Sequence, residues 1–126
     1  MANATSSDQP RIYQNDGNQP LLALVNNPKS VLDVGCGAGD NAAALKERFP
    51  ECTIVGITHS EEEIELATRF MDHCLCFDIE SKADFPLPSK KFDLIIFSHV
   101  LEHLRDPHLV LARFSDHLAV GGCVLI

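Results

Sequence analysis

Five short segments of the chain are apolar at almost every position, and the longer segments between them mix apolar and polar residues. Strands that have no polar face must be covered on both sides, so near-continuous runs of Val, Ile and Leu are typical of a parallel sheet between helices. The apolar runs lie at 30–35, 52–58, 73–79, 92–98 and 123–126. The pattern therefore predicts an α/β fold with a doubly wound, mostly parallel sheet.

The segments before and between these strands carry residues that are typical of the start of a helix. A short helix is expected at 20–25, and an Ala-rich helix at 41–49. Ser60 and Glu63 have the spacing of a capping box, in which the Glu63 side chain bonds back to the residue that caps the helix. That spacing predicts a helix that starts at Ser60 and continues to residue 70.

The last helix and strand are predicted from a cap and a pair of glycines. Asp106 followed by Pro107 is a helix cap with a proline in the first turn. The helix is expected to run to about Leu118 and to end before Gly121 and Gly122. The fifth strand then begins.

The size and composition of the chain are those of one soluble globular domain. It has 126 residues, of which 45% are hydrophobic and 22% charged. A chain of this length and composition can form one hydrophobic core, with few residues left for a second domain. The polar residues 1–17 are expected to form a flexible N-terminal arm, and 18–126 the domain. No apolar run is long enough to cross a bilayer and no signal peptide is present, so we expect a cytoplasmic protein without a membrane span.

Charge and cysteine content narrow the classes of partner. The net charge is −8, with 18 acidic residues against 10 Lys and Arg, which disfavours a nucleic-acid partner because phosphate backbones attract basic surfaces. The 5 cysteines are odd in number and mostly lie in apolar segments, so reduced, buried thiols are expected. Cys74 and Cys76 lack a second Cys or His pair at a suitable spacing, so no metal is expected there. The oligomeric state stays open.

The stretch VLDVGCGAGD, Val31 to Asp40, places a glycine-rich turn between the first strand and the helix after it. Such a turn lets a ligand approach backbone N–H groups near the positive end of a helix. The dinucleotide fingerprint requires a glycine or alanine where this chain has Asp40, and an acid where it has Thr58. An NAD(P)-dependent oxidoreductase is therefore kept only as an alternative.

The turn resembles the first motif of class I S-adenosylmethionine-dependent methyltransferases, an acid followed by three alternate glycines. Three further segments are similar to later motifs of that family, in the same order and with the same spacing. The four matching segments are Asp33 with Gly35, Gly37 and Gly39, then CFDIE at 76–80, FDLIIFSHVLEHLRDP at 92–107 and LAVGGCVLI at 118–126. Because the sheet of this family normally has seven strands, the resemblance implies a Rossmann-like fold truncated in the fifth strand.

The resemblance implies S-adenosyl-L-methionine as the cofactor and assigns the glycine turn to its amino-acid end. The residues that would line the methionine portion are Asp33, Gly35, Cys36, Gly37 and Gly39. In this family the backbone groups of the turn contact the ammonium and carboxylate of the methionine.

The resemblance assigns the ends of the third and fourth strands to the adenine and to the methionine end of the cofactor. By resemblance, Asp78 and Ile79 would contact the adenine, while Ser98 and His99 would lie beside the methionine end and face the methyl acceptor. These positions are all at the carboxyl ends of parallel strands, where open α/β sheets place their ligands.

The ribose contact departs from the family pattern. Most members end the second strand with Asp or Glu, whereas this chain has Thr58, with His59 beside it. The Thr58 hydroxyl is expected to supply one hydrogen bond to the ribose, which is weaker than the bond to a charged acceptor. We therefore expect a Thr58→Asp variant to bind the cofactor more tightly.

The resemblance implies an enzyme that transfers a methyl group to a small-molecule or metabolite acceptor by in-line displacement, for which alignment supplies most of the acceleration. A base is needed only when the acceptor loses a proton, and His99 is the candidate. His99 to His103 also matches a zinc-protease pattern, but it follows a strand directly, so no zinc is expected. A catalytically inactive interaction module with this fold is the other alternative.

Overall fold

Strands and helices alternate along the chain. The structure is a computed structural model, and it describes residues 17–81, 86–87 and 91–126. The strands are β1 (Ser30–Val34), β2 (Thr53–Thr58), β3 (His73–Cys76), β4 (Phe92–Phe97) and β5 (Leu118–Leu125). The helices are α1 (Gln19–Leu22), α2 (Asp40–Arg48), α3 (Glu61–Ala67) and α4 (Pro107–Ser115), and a 3-10 turn at Leu101–His103 follows β4.

The strands form one sheet in the order β3-β2-β1-β4-β5, and all of these pairings are parallel. Strand β1 is central, with Leu32 between Val55 of β2 and Ile95 of β4. The strand order reverses between β1 and β4, and ligands of open parallel sheets bind at the carboxyl ends of the strands beside such a reversal. The predicted doubly wound parallel fold is confirmed.

Both faces of the sheet are covered. Val31 and Ile96 pack with residues of α1, α2 and α3, whereas Leu32 and Ile95 pack with α4 on the other face. All four side chains are completely buried, and burying a side chain of this size contributes about 1.5–3 kcal/mol. Alternate residues of one strand therefore stabilise opposite layers, which explains why the strands are apolar at almost every position.

Strand β5 begins earlier than predicted. Helix α4 ends at Ser115 and the strand starts at Leu118, whereas the sequence predicted a helix to Leu118 and a strand from 123. Gly121, with φ of 79°, and Gly122 lie inside the strand, where the register with β4 shifts. A glycine in the left-handed region accommodates such a bulge, so this pair bends a strand instead of ending a helix.

Smaller differences concern the ends of two other helices. Helix α1 ends at Leu22 instead of residue 25, and α3 ends at Ala67 instead of residue 70. After α3, the Thr68 hydroxyl donates to the carbonyl oxygens of Ile64 and Glu65. A side chain that bonds to the carbonyls of the last turn competes with continuation of the helix.

Two further predictions concern the N-terminal arm and the absence of a membrane span. Of the predicted arm, 1–17, residues 1–16 lie outside the described part of the chain, so the boundary at residue 18 stays a prediction. Within the described ranges, no helix has the length and hydropathy of a membrane span.

The cysteines are less uniformly buried than predicted. Cys36 and Cys52 are buried, Cys74 and Cys76 are partly exposed, and Cys123 is exposed. None of the five forms a disulfide in this structure. Cys123 is exposed because it lies on β5, which is an edge strand of the sheet among the described residues.

Candidate functional site

A cleft opens at the carboxyl ends of β1, β2, β3 and β4. It consists of a larger cavity of about 680 Å³ and a smaller one of about 370 Å³. Both cavities are lined by Gly35, Gly37, Glu63, Ser98 and His99. Because the cavities share these residues, they form one continuous elongated cleft, with β3 at one end and the start of α2 at the other.

The glycine turn is fixed to the neighbouring strand by two hydrogen bonds. The backbone N–H groups of Gly35 and Cys36 both donate to the Ile57 carbonyl, at 2.8 and 2.9 Å. Gly35 has φ of 74°, and a Cβ at this position would overlap the Val100 side chain. Gly35 therefore needs both its left-handed backbone and its missing side chain to bring the turn against the loop after β4.

The other two glycines of the motif have different surroundings. Gly37 lines both cavities, and a Cβ there would lie 3.5 Å from Oε2 of Glu63. Gly39, with φ of 95°, is the N-cap residue of α2, and a Cβ there would press on Ala67 and Phe70 at 3.2 and 3.0 Å. Gly39 lines neither cavity, so its requirement for glycine comes from the packing of α2 against α3.

Asp33 is completely buried in the centre of the sheet. Among the described residues, neither of its carboxylate oxygens has a hydrogen-bond partner. Burial, followed by the nearby charge of Asp40, raises the pKa of the Asp33 carboxyl to about 7. Asp33 lines neither cavity, whereas Asp40 and Cys36 line the smaller one, so Asp33 lies behind the cleft wall.

Thr58 and Glu63 form a pair at the middle of the cleft. The Thr58 hydroxyl donates to Oε1 of Glu63 at 3.0 Å and accepts from the Ser60 N–H at 3.1 Å. Thr58 lines the larger cavity but is only 2% exposed, and its one hydroxyl proton is used by Glu63. In this structure the hydroxyl proton that was expected to contact a ribose is donated to a carboxylate.

The same pair corrects the predicted capping box. Ser60 is the N-cap residue of α3, as predicted, but its side chain makes no cap hydrogen bond. The Glu63 backbone N–H donates to the Ser60 carbonyl at 3.1 Å, while the Glu63 side chain turns to Thr58. The carboxylate is thus placed in the cleft instead of at the helix cap.

The end of the cleft beside β3 contains two acidic residues, Asp78 and Glu80, which flank Ile79. Asp78 and Ile79 both line the larger cavity. Oδ1 of Asp78 accepts from the Glu80 N–H at 2.9 Å, and Oε2 of Glu80 accepts from the Arg105 N–H at 2.8 Å. The loop after β3 is thereby tied to the segment before α4, which gives Asp78 a defined position.

Asn18 connects the segment before α1 to the other end of the cleft. Its side-chain Nδ2 donates to the Ser98 hydroxyl at 3.1 Å, and its backbone N–H donates to Oδ1 of Asn41 at 2.7 Å. All three residues line the smaller cavity. The segment around Asn18 therefore forms a wall of this cavity and holds Ser98 of β4 against α2.

His99 follows β4 and lines both cavities. Its φ is 58°, in the left-handed region that is uncommon for a residue with a side chain. Its imidazole is 77% exposed, with Nδ1 3.7 Å from Oε2 of Glu102. No group of three or more potential metal ligands occurs in the part of the chain that the structure describes.

The structure brings together most of the predicted cofactor-binding residues and the predicted catalytic residue, His99. Those that line the cleft are Gly35, Cys36, Gly37, Thr58, His59, Asp78, Ile79, Ser98 and His99. Asp33 and Gly39 do not line it. Sequence reasoning missed Glu63, Asn18 and Asn41; the capping-box spacing drew attention to Glu63, but as a helix cap.

Comparison with known proteins decides the family. Residues 9–126 match the family model described as a methyltransferase domain. The chain belongs to the class I S-adenosylmethionine-dependent methyltransferases. The resemblance noted from the sequence is confirmed, and the glycine turn is that of a methyltransferase rather than a dinucleotide fingerprint.

Individual relatives cover most of the chain. Trans-aconitate 2-methyltransferase of Yersinia pestis (strain Pestoides F) is 35% identical over 109 residues, 84% of this methyltransferase chain and 41% of the relative. Ajmaline N-methyltransferase of Rauvolfia serpentina is 28% identical over 104 residues, 79% of this chain and 35% of the relative. This methyltransferase chain thus spans well under half the length of these curated relatives.

A solved structure has the same arrangement of strands and helices. The plantazolicin methyltransferase BpumL in complex with SAH superposes with a TM-score of 0.62 and 26% sequence identity. The match covers 73% of this methyltransferase chain and 35% of that chain. It agrees with the family assignment.

Proposed function

We propose that this chain forms the S-adenosylmethionine-binding part of a methyltransferase that acts on a small-molecule acceptor. The observation that carries the proposal is the continuous cleft that runs from the glycine turn at Gly35 and Gly37, past Glu63, to Asp78. A cleft in which a bare backbone and a carboxylate lie where its two cavities meet suits an amino acid joined to a nucleoside.

The smaller cavity suits the amino-acid end of the cofactor. A methionine tail carries an ammonium and a carboxylate, and the N–H groups at the start of α2 favour an anion there. Asp40 lines this cavity, and the buried Asp33 carboxyl lies behind it without a hydrogen-bond partner among the described residues. The Asp40 carboxylate favours the ammonium, and Asn41 and Ser98 supply neutral polar groups.

The larger cavity suits the adenine. Its wall includes the apolar residues Phe77, Ile79 and Val100, which match the faces of a flat ring. Asp78 lies on the same wall, and its carboxylate suits the exocyclic amine. We assign Asp78 and Ile79 to the adenine.

We assign Glu63 to the ribose. It lines both cavities, and its Oε1 is held by the Thr58 hydroxyl at 3.0 Å. A carboxylate accepts from both hydroxyls of a ribose through charge-assisted hydrogen bonds, which are stronger than neutral ones. Thr58 is a positioning residue in this proposal, because it contacts Glu63 and not the ribose.

Methyl transfer depends mainly on the alignment of the acceptor atom with the methyl group and the sulfur. S-adenosylmethionine, when bound, supplies a methyl group already activated by the sulfonium, and the protein holds the acceptor in line with it. His99 lines both cavities and is exposed, so it has access to an acceptor that enters from solvent. We assign it the removal of a proton from acceptors that must lose one.

The class of acceptor is taken from the relatives. The names of two of them, trans-aconitate 2-methyltransferase and ajmaline N-methyltransferase, denote small molecules as the methylated compounds. The two compounds differ, so the proposal extends to small molecules as a class and leaves the acceptor atom undefined.

Cofactor binding is tested by calorimetry and thermal melting of the full chain with S-adenosylhomocysteine, with NAD as the control ligand. We expect S-adenosylhomocysteine to bind and to raise the melting temperature further as its concentration increases, because a ligand that binds only the native state stabilises it. NAD is expected to do neither. Stabilisation by NAD alone would contradict the proposal.

Catalysis is tested separately, because a protein that binds the cofactor without reacting is also compatible with the fold. The chain is incubated with S-adenosylmethionine that carries a labelled methyl group and with a small-metabolite extract. We expect label to appear in a small-molecule product. Cofactor binding without any transfer would favour an interaction module over an enzyme.

A further inference from the structure

Two cysteine thiols meet beside the smaller cavity. Sγ of Cys36, in the glycine turn after β1, lies 3.7 Å from Sγ of Cys74 on β3. Strand β2 separates β1 from β3, and Gly56 of β2 is the register partner of Cys74. A Cβ at Gly56 would lie 2.9 Å from Sγ of Cys36. The missing side chain at Gly56 thus allows the Cys36 thiol to reach Cys74 across β2.

The two thiols have different chemical character. Cys36 is buried, whereas Cys74 is partly exposed. The contact between the two thiols lowers the pKa of the Cys74 thiol, and the same contact, together with burial and the Asp33 and Glu63 carboxylates, raises the pKa of the Cys36 thiol. Cys74 is therefore the more acidic and the more accessible thiol of the pair, and Cys36 is held next to it.

We propose that Cys36 and Cys74 form a reversible disulfide that reshapes the glycine turn and lowers the affinity of the cleft for its cofactor. The two sulfur atoms would have to approach from 3.7 Å to about 2.05 Å, the length of a disulfide bond. Cys36 lies between Gly35 and Gly37, whose backbone lines both cavities. Movement of its side chain towards β3 therefore shifts the surface that receives the cofactor.

The oxidant proposed is hydrogen peroxide, which accepts two electrons from the thiol pair. The Cys74 thiolate attacks one peroxide oxygen, the O–O bond breaks, and Cys74 sulfenic acid and hydroxide form. The Cys36 sulfur then attacks the sulfur of Cys74, the S–O bond breaks, and water leaves as the Cys36 proton is lost. A dithiol reductant returns both thiols.

Cofactor binding and disulfide formation should oppose each other. If the disulfide lowers the affinity for the cofactor, the bound cofactor must disfavour the disulfide by the same factor. This part of the inference rests on the proposed function, whereas the proximity of the thiols does not. The two are therefore measured separately.

The first experiment detects the bond. A Cys123→Ser background removes the exposed thiol, and the full chain is treated with hydrogen peroxide, alkylated, and digested without reduction. Mass spectrometry is expected to find the Cys36 and Cys74 peptides joined, with the loss of two hydrogen atoms. Cys74→Ser should abolish the joined peptide, and Cys76→Ser, on the same strand, should retain it. No joined peptide in the background protein, or one that links other cysteines, would overturn the inference.

The second experiment measures the consequence. Calorimetry is expected to show that the oxidised background protein binds S-adenosylhomocysteine at least about tenfold more weakly than the reduced protein, and that dithiothreitol restores binding. Cys74→Ser should bind equally well before and after peroxide. An oxidised protein with unchanged affinity would overturn the proposed effect of the disulfide on cofactor binding. A reduced protein that binds no S-adenosylhomocysteine would overturn the proposed function instead. In that case the joined peptide would support the disulfide but not its effect on cofactor binding.

Discussion

The Thr58 hydroxyl donates a 3.0 Å hydrogen bond to Oε1 of Glu63, and this bond connects the end of β2 to the first turn of α3. In the proposed binding mode, the carboxylate that most family members carry on the strand itself is supplied from the next helix. Two side chains five residues apart in sequence take the place of one acid in this proposal.

Replacing Glu63 with Gln tests this assignment. Glu63→Gln keeps the shape of the side chain but removes its charge, and hydrogen bonds to charged groups contribute about 1.5–3 kcal/mol against about 1 kcal/mol for neutral ones. We expect the affinity for S-adenosylhomocysteine to fall about tenfold in calorimetry. Glu62→Gln is the control, since Glu62 is exposed on the same turn and lines neither cavity. Equal affinities in both variants would argue against a role for Glu63.

Thr58→Val removes the hydroxyl that donates to Glu63 and accepts from the Ser60 N–H. The valine has nearly the same shape, so we expect the fold to persist while the cofactor affinity falls by about 1 kcal/mol. The double variant with Glu63→Gln should lose less than the sum of the two single losses, because the side chains act as one unit. Additive losses would show that they act independently.

The structure also reverses an expectation for Thr58→Asp. From the sequence this variant is expected to bind the cofactor more tightly. In the structure a new carboxylate would face Glu63, and two like charges at hydrogen-bond distance repel each other. Calorimetry should therefore show weaker binding for Thr58→Asp, not stronger.

Gly35→Ala should destabilise the protein more than Gly121→Ala does. Both glycines have positive φ, 74° and 79°, so both variants incur about 1–2 kcal/mol of backbone strain. A Cβ at Gly121 has no heavy atom within 4 Å, whereas one at Gly35 overlaps Val100, which adds about 1–3 kcal/mol of overpacking. Urea unfolding measures the difference, and Val100→Ala in the Gly35→Ala background should recover part of it. Equal losses would contradict the close packing of the turn.

Asp33→Asn should change the pH dependence of stability. The pKa of Asp33 is raised from 3.8 to about 7 by burial and by Asp40, so the neutral form is favoured in the native state. The stability that this group contributes is complete below about pH 4 and is lost as the pH rises to about 7. Asn cannot ionise, so from pH 5 to pH 8 the variant should gain on the order of 2 kcal/mol relative to the unmodified protein, measured by urea unfolding.

Asp72→Asn is the control for that experiment. Although partial burial acts to raise the pKa of Asp72, the Ile54 N–H and the Lys46 ammonium hold it below its usual value. Asp72 is therefore ionised in both native and unfolded states at pH 5 and above. Its replacement should shift stability by the same amount at pH 5 and pH 8. A pH-independent Asp33→Asn effect would contradict the raised pKa.

His99→Asn should separate catalysis from cofactor binding. Asn tolerates the left-handed backbone of this position, so we expect the fold and the affinity for S-adenosylhomocysteine to be retained. Loss of a general base lowers turnover by about 10²- to 10⁴-fold when the acceptor must lose a proton. Labelled-methyl transfer to the metabolite extract measures this, with His108→Asn, on α4, as the control. Unchanged transfer would remove His99 from the reaction.

Most of the fold was predictable because its signals are local in sequence. Strands buried on both faces must be apolar at nearly every residue, as Leu32 and Val31 are, and that pattern alone identifies a parallel sheet. The largest error in the fold, the start of β5, arose because a glycine such as Gly121 can occupy either of two structural positions. A glycine with positive φ ends helices and also permits bulges, and only the pairing of β5 with β4 distinguishes them.

The sequence by itself determined the sheet, the glycine turn and the strand ends where Asp78, Ser98 and His99 line the cleft, because each depends on residues next to one another in the chain. Only the tertiary structure decided the partners of side chains. It directed Glu63 to Thr58 rather than to the helix cap, placed Gly39 against α3, enclosed Asp33, and brought Cys36 to Cys74. These contacts form across strands and helices, and the spacing of residues along the chain carries no information about such distances.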